Sequence, residues 1–260
     1  MLYLHHKWSF GFVRKKINCY NLTMKIKPFN ATWWGMLALQ VAIITIISII
    51  AYPLERSQVL TLLKLFNVGV GVYLFFYKFA LSRLKDYDFN IWDDLPFYLC
   101  NLGTITAIIA SFTDNRYLMG FVYAVSIFGA FIAYVFPDEA FCNIKMFSVK
   151  AIGFFGYHGL IICEGFLFVT TGAYVPKYSD ILPIVIYLVV LLFFVHIVNT
   201  IIRKTKFPEC NYSFTYGSRG NPILQKIYDK IPINLIYLYC ILPVFAAYIT
   251  IIFFITKLFV

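Results

Sequence analysis

Apolar residues run in long blocks along this chain, and polar residues gather in short clusters between them. Seven blocks stand out, near residues 33–53, 59–80, 95–112, 116–136, 150–172, 181–202 and 232–256. At about 1.5 Å of rise per residue their lengths suit a hydrocarbon layer roughly 30 Å thick. The pattern predicts an all-α integral membrane protein, about seven transmembrane helices in one bundle. Breakers punctuate the blocks at Tyr52-Pro53, Asp114-Asn115, Phe136-Pro137 and Val175-Pro176, which are turn-forming pairs. Pro96, Pro183 and Pro232 read as first-turn residues, where a missing N–H costs little, and Asp94 as the N-cap of the third helix. Pro243 reads as a kink in the last span.

Composition agrees. The chain is 61% hydrophobic and 13% charged, with a mean hydropathy of +0.78. Residues 1–30 read as a basic extension that faces the cytoplasm, and 31–260 as the helical domain with one long loop at 203–231. No cleavable signal peptide is evident, and a start at Met24 would leave 1–23 as an added segment. The net charge of +10 sits in the loops. Seventeen lysines and arginines fall on the side that holds the N-terminus and the loops after helices 2, 4 and 6, against four on the other side. That asymmetry places the N-terminus in the cytoplasm and the C-terminus outside. It explains the charge without nucleic acid, whose readers need a fold context absent here. The six cysteines form no CxxC pair or zinc spacing, so neither a metal site nor a disulfide framework is expected, and no cofactor.

Polar groups inside the apolar blocks are the informative exceptions, because they are costly in hydrocarbon. On the third span Cys100, Asn101 and Thr104 share a face, with Cys100 about 9 Å in. On the sixth, His196, Asn199, Thr200 and Arg203 form a helical stripe, with His196 about 10 Å from the cytoplasmic end. On the fifth, His158 lies about 12 Å in, opposite a ridge of Gly153, Gly156 and Gly159 that would let a neighbour approach closely. Glu164, also on the fifth span, reads as buried and structural. The three spans thus bring polar groups to one depth in the cytoplasmic half, which points to a single cavity.

Several short motifs resemble a known family. Leu95-Pro96-Phe97-Tyr98-Leu99-Cys100-Asn101 is similar to the Leu-Pro-Leu-His-Leu-Cys signature of YwaF-type bacterial membrane proteins. In order there follow Phe136-Pro137-Asp138, His158-Gly159, Gly172-Ala173-Tyr174-Val175-Pro176, Asn199 and Asn211-Tyr212-Ser213-Phe214. The resemblance covers roughly 50–260 and extends to the animal transmembrane protein 164 acyltransferase group. Tyr98 stands where the bacterial signature has histidine, and Phe97 where animal members have their reactive cysteine. Cys100 is one turn further along the same face.

The resemblance implies a membrane-embedded acyltransferase or transacylase acting on phospholipids in the cell membrane. Cys100 would be the acyl-accepting nucleophile, His158 the general base, and His196 an orienting group or alternative base. Asn101 and Asn199 would steady an oxyanion, and Thr104, Thr200, Arg203, Asn211 and Tyr212 would line the lipid site. A small-solute transporter or lipid-binding protein using the same cavity is the alternative, and a structural or assembly factor a third reading. Membrane phospholipids are the expected partners, with no nucleic acid. A topology reporter fused at Val260 is expected to read outside; a cytoplasmic reading would reverse the orientation.

Overall fold

The computed structural model describes residues 25–137, 141, 144–219 and 221–258. Residues 1–24 of the expected extension at 1–30, Cys19 among them, lie outside the described residues, as do Asp138 and Cys142. Six helices among the described residues are long and apolar enough to cross a membrane, and a shorter apolar one stands where the third span was expected. They are α1 (Ala31–Ala51), α2 (Arg56–Leu81), α3 (Leu99–Thr113), α4 (Arg116–Val135), α5 (Val149–Thr170), α6 (Tyr178–Thr205) and α7 (Ile236–Lys257). The all-α membrane architecture therefore stands.

Local chemistry sets the ends. Asn30, Asn115 and Ser148 each cap a helix start by accepting a backbone N–H from the first turn, as their side chains favour. Three expectations need correction. Asp94 does not cap α3. It ends a separate short helix, Ile91–Asp94, and Leu95 then turns extended at φ −58, ψ 151. The proline at 96 enforces this by excluding helical geometry from the residue before it. Pro96 consequently precedes α3, and Cys100 lies in its first turn instead of two turns deep. Pro232 likewise lies outside α7, which begins at Ile236. The helix α7 is interrupted at Cys240–Ile241, with Pro243 in the first turn of its longer second part, so the kink falls just before that proline.

Ion pairs sort the loops into two ends. Lys78–Asp94, Lys150–Asp86 and Arg219–Asp93 form at one end, where the backbones of Lys25 and Lys145 also pair. The ammonium of Lys150 bonds Asp86 and holds its carboxyl below the usual carboxylate range. Arg56–Asp114 and Arg116–Asp180 form at the other end, together with Lys257 over the Tyr178 ring. Every one of these contacts joins positions separated by an even number of spans, or by none, as seven alternating helices require. The first end is the lysine-rich one.

The hub is α5, packed by α1, α2, α3 and α4, with most of its residues buried. Its small residues permit this. A Cβ on Gly153 would lie 2.0 Å from ring carbons of Tyr77, one on Gly156 2.6 Å from the Tyr73 hydroxyl, and one on Gly159 1.9 Å from Gln40. The glycine ridge thus receives α2 and α1, as its spacing predicts. Both α4 and α5 contain a wide π turn, over Val122–Ser126 and Ile152–Gly156, a local geometry often found at functional sites. Polar side chains tie the helices together: Asn67 of α2 donates to the Ala107 carbonyl and the Ser111 hydroxyl of α3, and Gln40 of α1 bonds the Tyr134 hydroxyl of α4.

Gly153→Ala is expected to destabilise the bundle by roughly 1–3 kcal/mol through overpacking against Tyr77. Gly69→Ala, which meets nothing within 4 Å, is the matched control. Thermal unfolding in detergent reads the difference; equal melting temperatures would contradict the close contact.

Candidate functional site

Cys100 is the second residue of α3. The first N–H groups of a helix have no carbonyl partner within it, and they carry its positive dipole end. The thiol is partly buried and makes a long contact, 3.7 Å, with Oδ1 of Asn101. It packs against an apolar cluster that includes Tyr77, Phe154 and Tyr157. Asn101 is itself buried.

His158 packs in the same cluster region. Its ring lies 4.4 Å from the Phe154 ring and 5.7 Å from Tyr157, and its Nδ1 is 2.8 Å from the Phe154 carbonyl. A carbonyl can only accept, so Nδ1 carries the hydrogen and Nε2 keeps the lone pair. The π turn holds that carbonyl, so an irregularity in α5 fixes the tautomer of its histidine. Lys78 of α2 lies within electrostatic reach of both Cys100 and His158, and its ammonium sits 2.9 Å from Asp94, which also accepts from the Tyr87 hydroxyl at 3.0 Å.

One turn below Cys100, Thr104 donates to Oε2 of Glu164 at 2.9 Å and receives the Tyr157 hydroxyl at 3.1 Å. Glu164 is fully buried, and its other oxygen has no partner. Ser126, at the end of the π turn in α4, is buried and unpartnered too, and it presses on Gly103, where a Cβ would lie 2.5 Å away. A polar seam therefore runs down the junction of α3, α4 and α5. The buried position of Glu164 agrees with its sequence reading; its partnership with Thr104 depends on how α3 and α5 face each other, which one chain's periodicity does not show.

The other half of the expected cluster sits elsewhere. His196 stacks on the Tyr216 ring at 4.7 Å, and Thr200 bonds the Tyr216 hydroxyl at 2.6 Å. Arg203 covers the same ring from 4.6 Å and donates to the Cys210 carbonyl. Asn199 is spent entirely on the loop that follows: its Nδ2 donates to the Tyr212 carbonyl and the Thr215 hydroxyl, and its Oδ1 accepts from Tyr212 N and the Cys210 thiol. An amide so committed has no hydrogen left for an oxyanion. Asn211 closes its own turn onto Tyr216 and Gly217, and the Tyr212 hydroxyl bonds the Trp92 carbonyl. Among the described residues no hydrogen bond or ring contact joins His158 and His196. The stripe on α6 anchors the loop at 207–219, and that loop in turn clamps the segment before α3: Ser213 donates to the Phe97 carbonyl, and Arg219 bonds Tyr98 and Asp93.

A cavity of about 860 Å³ opens between α2 and α3; Cys100 is not among its lining residues, and the nearest on the same face of α3 is Thr104, one turn on. Val68, Val72, Phe75, Phe76, Ile105 and Ile108 form its apolar walls, Lys78, Ser82 and Asp94 lie at its lysine-rich end, and Thr104 lies within it. The wall residues Val72, Phe75 and Phe76 are exposed at the outer surface of the bundle, so the cavity is a lateral groove.

A family model described as the TMEM164 family matches residues 28–257. No curated protein and no solved structure matches the chain.

The loop geometry generates its own test. Asn199→Ala leaves four buried partners unmatched, and unpaired buried polar groups cost about 1–3 kcal/mol each. Limited proteolysis is expected to cut within 207–219 much faster in the variant; an unchanged rate would show that Asn199 does not hold the loop.

Proposed function

This chain belongs to the TMEM164 family, and from that premise we propose that it is a membrane-embedded acyltransferase or transacylase moving fatty acyl chains between phospholipids, with Cys100 as nucleophile and His158 as base. Supporting this reading above all is one juxtaposition. A half-buried thiol in the first turn of α3 and a histidine with its Nε2 lone pair free pack into the same cluster, one helical turn from Thr104, which lines the lateral groove.

The chemistry runs in two balanced halves. His158 Nε2 takes the Cys100 proton, and the thiolate attacks the ester carbonyl of a donor phospholipid. The carbon–oxygen bond breaks, the leaving alkoxide of the lysolipid takes the proton from the imidazolium, and the acyl group stays on sulfur as a thioester. A hydroxyl of an acceptor lysolipid then gives its proton to His158 and attacks the thioester; the thiolate leaves and is reprotonated. Negative charge develops on the carbonyl oxygen in each half. Asn101 Nδ2 and the unpaired N–H groups at the start of α3 are the donors best sited to meet it.

The reading assigns Lys78 to the ester end of the lipid. It takes the lysine-rich end as cytoplasmic and the membrane as the cell membrane. It gives His196, Asn199, Thr200, Arg203, Asn211 and Tyr212 the task of holding the 207–219 loop, and through it the segment that carries α3 into the bilayer. That is an assignment different from direct substrate contact.

Transfer of a labelled acyl chain between phospholipids, measured with purified protein in vesicles, separates these roles. Cys100→Ala and His158→Ala are each expected to lose roughly 10²–10⁴-fold in rate, whereas His196→Phe, which keeps the ring on Tyr216, is expected to retain most activity. Full activity in both the Cys100 and His158 variants would overturn the proposal.

A further inference from the structure

The lateral groove between α2 and α3 has the dimensions and position of a site for one lipid tail. Along α2 it runs from Val68 to Phe79, eleven residues and thus about 16 Å at the helical rise, with Ser82 just past the helix end. That is about half of the roughly 30 Å hydrocarbon layer, the depth that one leaflet supplies. Its polar groups are gathered at one end, where Lys78 and Ser82 line it with Asp94. An ammonium has three hydrogens. The contact to Asp94 uses one of them. Thr104 is the polar group further down the wall, with its hydroxyl turned to Glu164 and Tyr157. Cys100 precedes Thr104 by one helical turn on the same face, about 6 Å nearer the lysine-rich end.

Near the deep end Gly71 of α2 faces α3, where an added Cβ would meet Ile108 Cδ1 at 3.0 Å. Gly71 lines the groove, so a larger side chain there would project toward it.

We propose that this groove holds a single fatty acyl chain of a phospholipid in the leaflet at the lysine-rich end, with the ester end at Lys78 and the tail against Gly71 and Ile108, so that these two residues set which chains are accepted. The inference deepens the acyl-transfer reading, on which it rests for the chain's role as substrate. Occupancy itself is measurable without catalysis. A chain seated this way has its carbonyl at the level of Cys100 and its tail directed along α3, away from the water at the helix start. Gly71→Leu shortens the groove, and Ile108→Ala extends it.

The test uses the full chain carrying Cys100→Ala, in vesicles of phosphatidylcholine with a trace of the same lipid bearing a photoactivatable acyl chain. Labelling is expected to concentrate on Val72, Phe75 and Ile105, to fall on competition with unlabelled long-chain lipid, and to drop about ten-fold in Gly71→Leu, the change expected for about 1.4 kcal/mol of lost affinity. Gly69→Leu, on the same helix with open space around it, is expected to leave labelling unchanged. Ile108→Ala is expected to shift the competition toward longer or bulkier chains, which keeps the proposal testable even if Gly71→Leu folds poorly. Labelling spread evenly over outward residues such as Ile186, Val190 and Ile251, or crosslinks between two copies of the chain at these positions in place of lipid, would overturn it. Specific labelling with no acyl transfer by the native protein would leave the groove assignment standing and remove the enzymatic reading.

Discussion

The structure depends on one constraint: a polar side chain inside a membrane must find its partner within the protein. Helix α5 carries a histidine and a glutamate through the bilayer, and it is walled in by four other helices as a result. Its glycines make that possible by letting Tyr77, Tyr73 and Gln40 press onto its backbone. Close packing on one side leaves Glu164 facing α3, where its carboxyl accepts from Thr104, while His158 bonds the Phe154 carbonyl of α5 itself. Burial and chemistry are therefore two consequences of the same packing.

A second feature follows from proline geometry. Pro96 forces the chain to extend before α3, which delays the helix and brings Cys100 into its first turn. The thiol then lies beside unpaired backbone N–H groups, a setting that suits negative charge. The delayed start also leaves the segment 95–98 without helical hydrogen bonds of its own. The loop at 207–219 holds it from outside, through the Ser213 bond to the Phe97 carbonyl, Arg219 on the Tyr98 hydroxyl and the aromatic contacts of Tyr212 with Phe97 and Tyr98. Asn199 and His196 hold that loop from α6. In this account the polar stripe of α6 supports Cys100 at one remove.

Much of this was legible in the sequence. The seven spans follow from block lengths, and the glycine ridge from a three-residue spacing. His158 and Cys100 stand out because polar groups in apolar blocks are costly. Helical periodicity says which residues share a face, but not which neighbour that face meets. Hence the stripe on α6 reads as part of a cavity when its partners are a loop 13 and 16 residues further along the chain. The Thr104–Glu164 pair and the Asn67 bonds to α3 were hidden for the same reason. The start of α3 differs from its sequence reading because a proline two residues after an acidic one fits both a first turn and an extended approach; the extended conformation of Leu95 decides between them.

The central claim is that Cys100 carries the acyl group between lipids. It is tested most directly by intact-protein mass spectrometry after brief exposure of the purified protein to a phospholipid with an isotopically labelled acyl chain. The account predicts one added acyl mass on Cys100, released by neutral hydroxylamine and absent from Cys100→Ser. Rapid acyl transfer with no such adduct, and undiminished in Cys100→Ser, would contradict it.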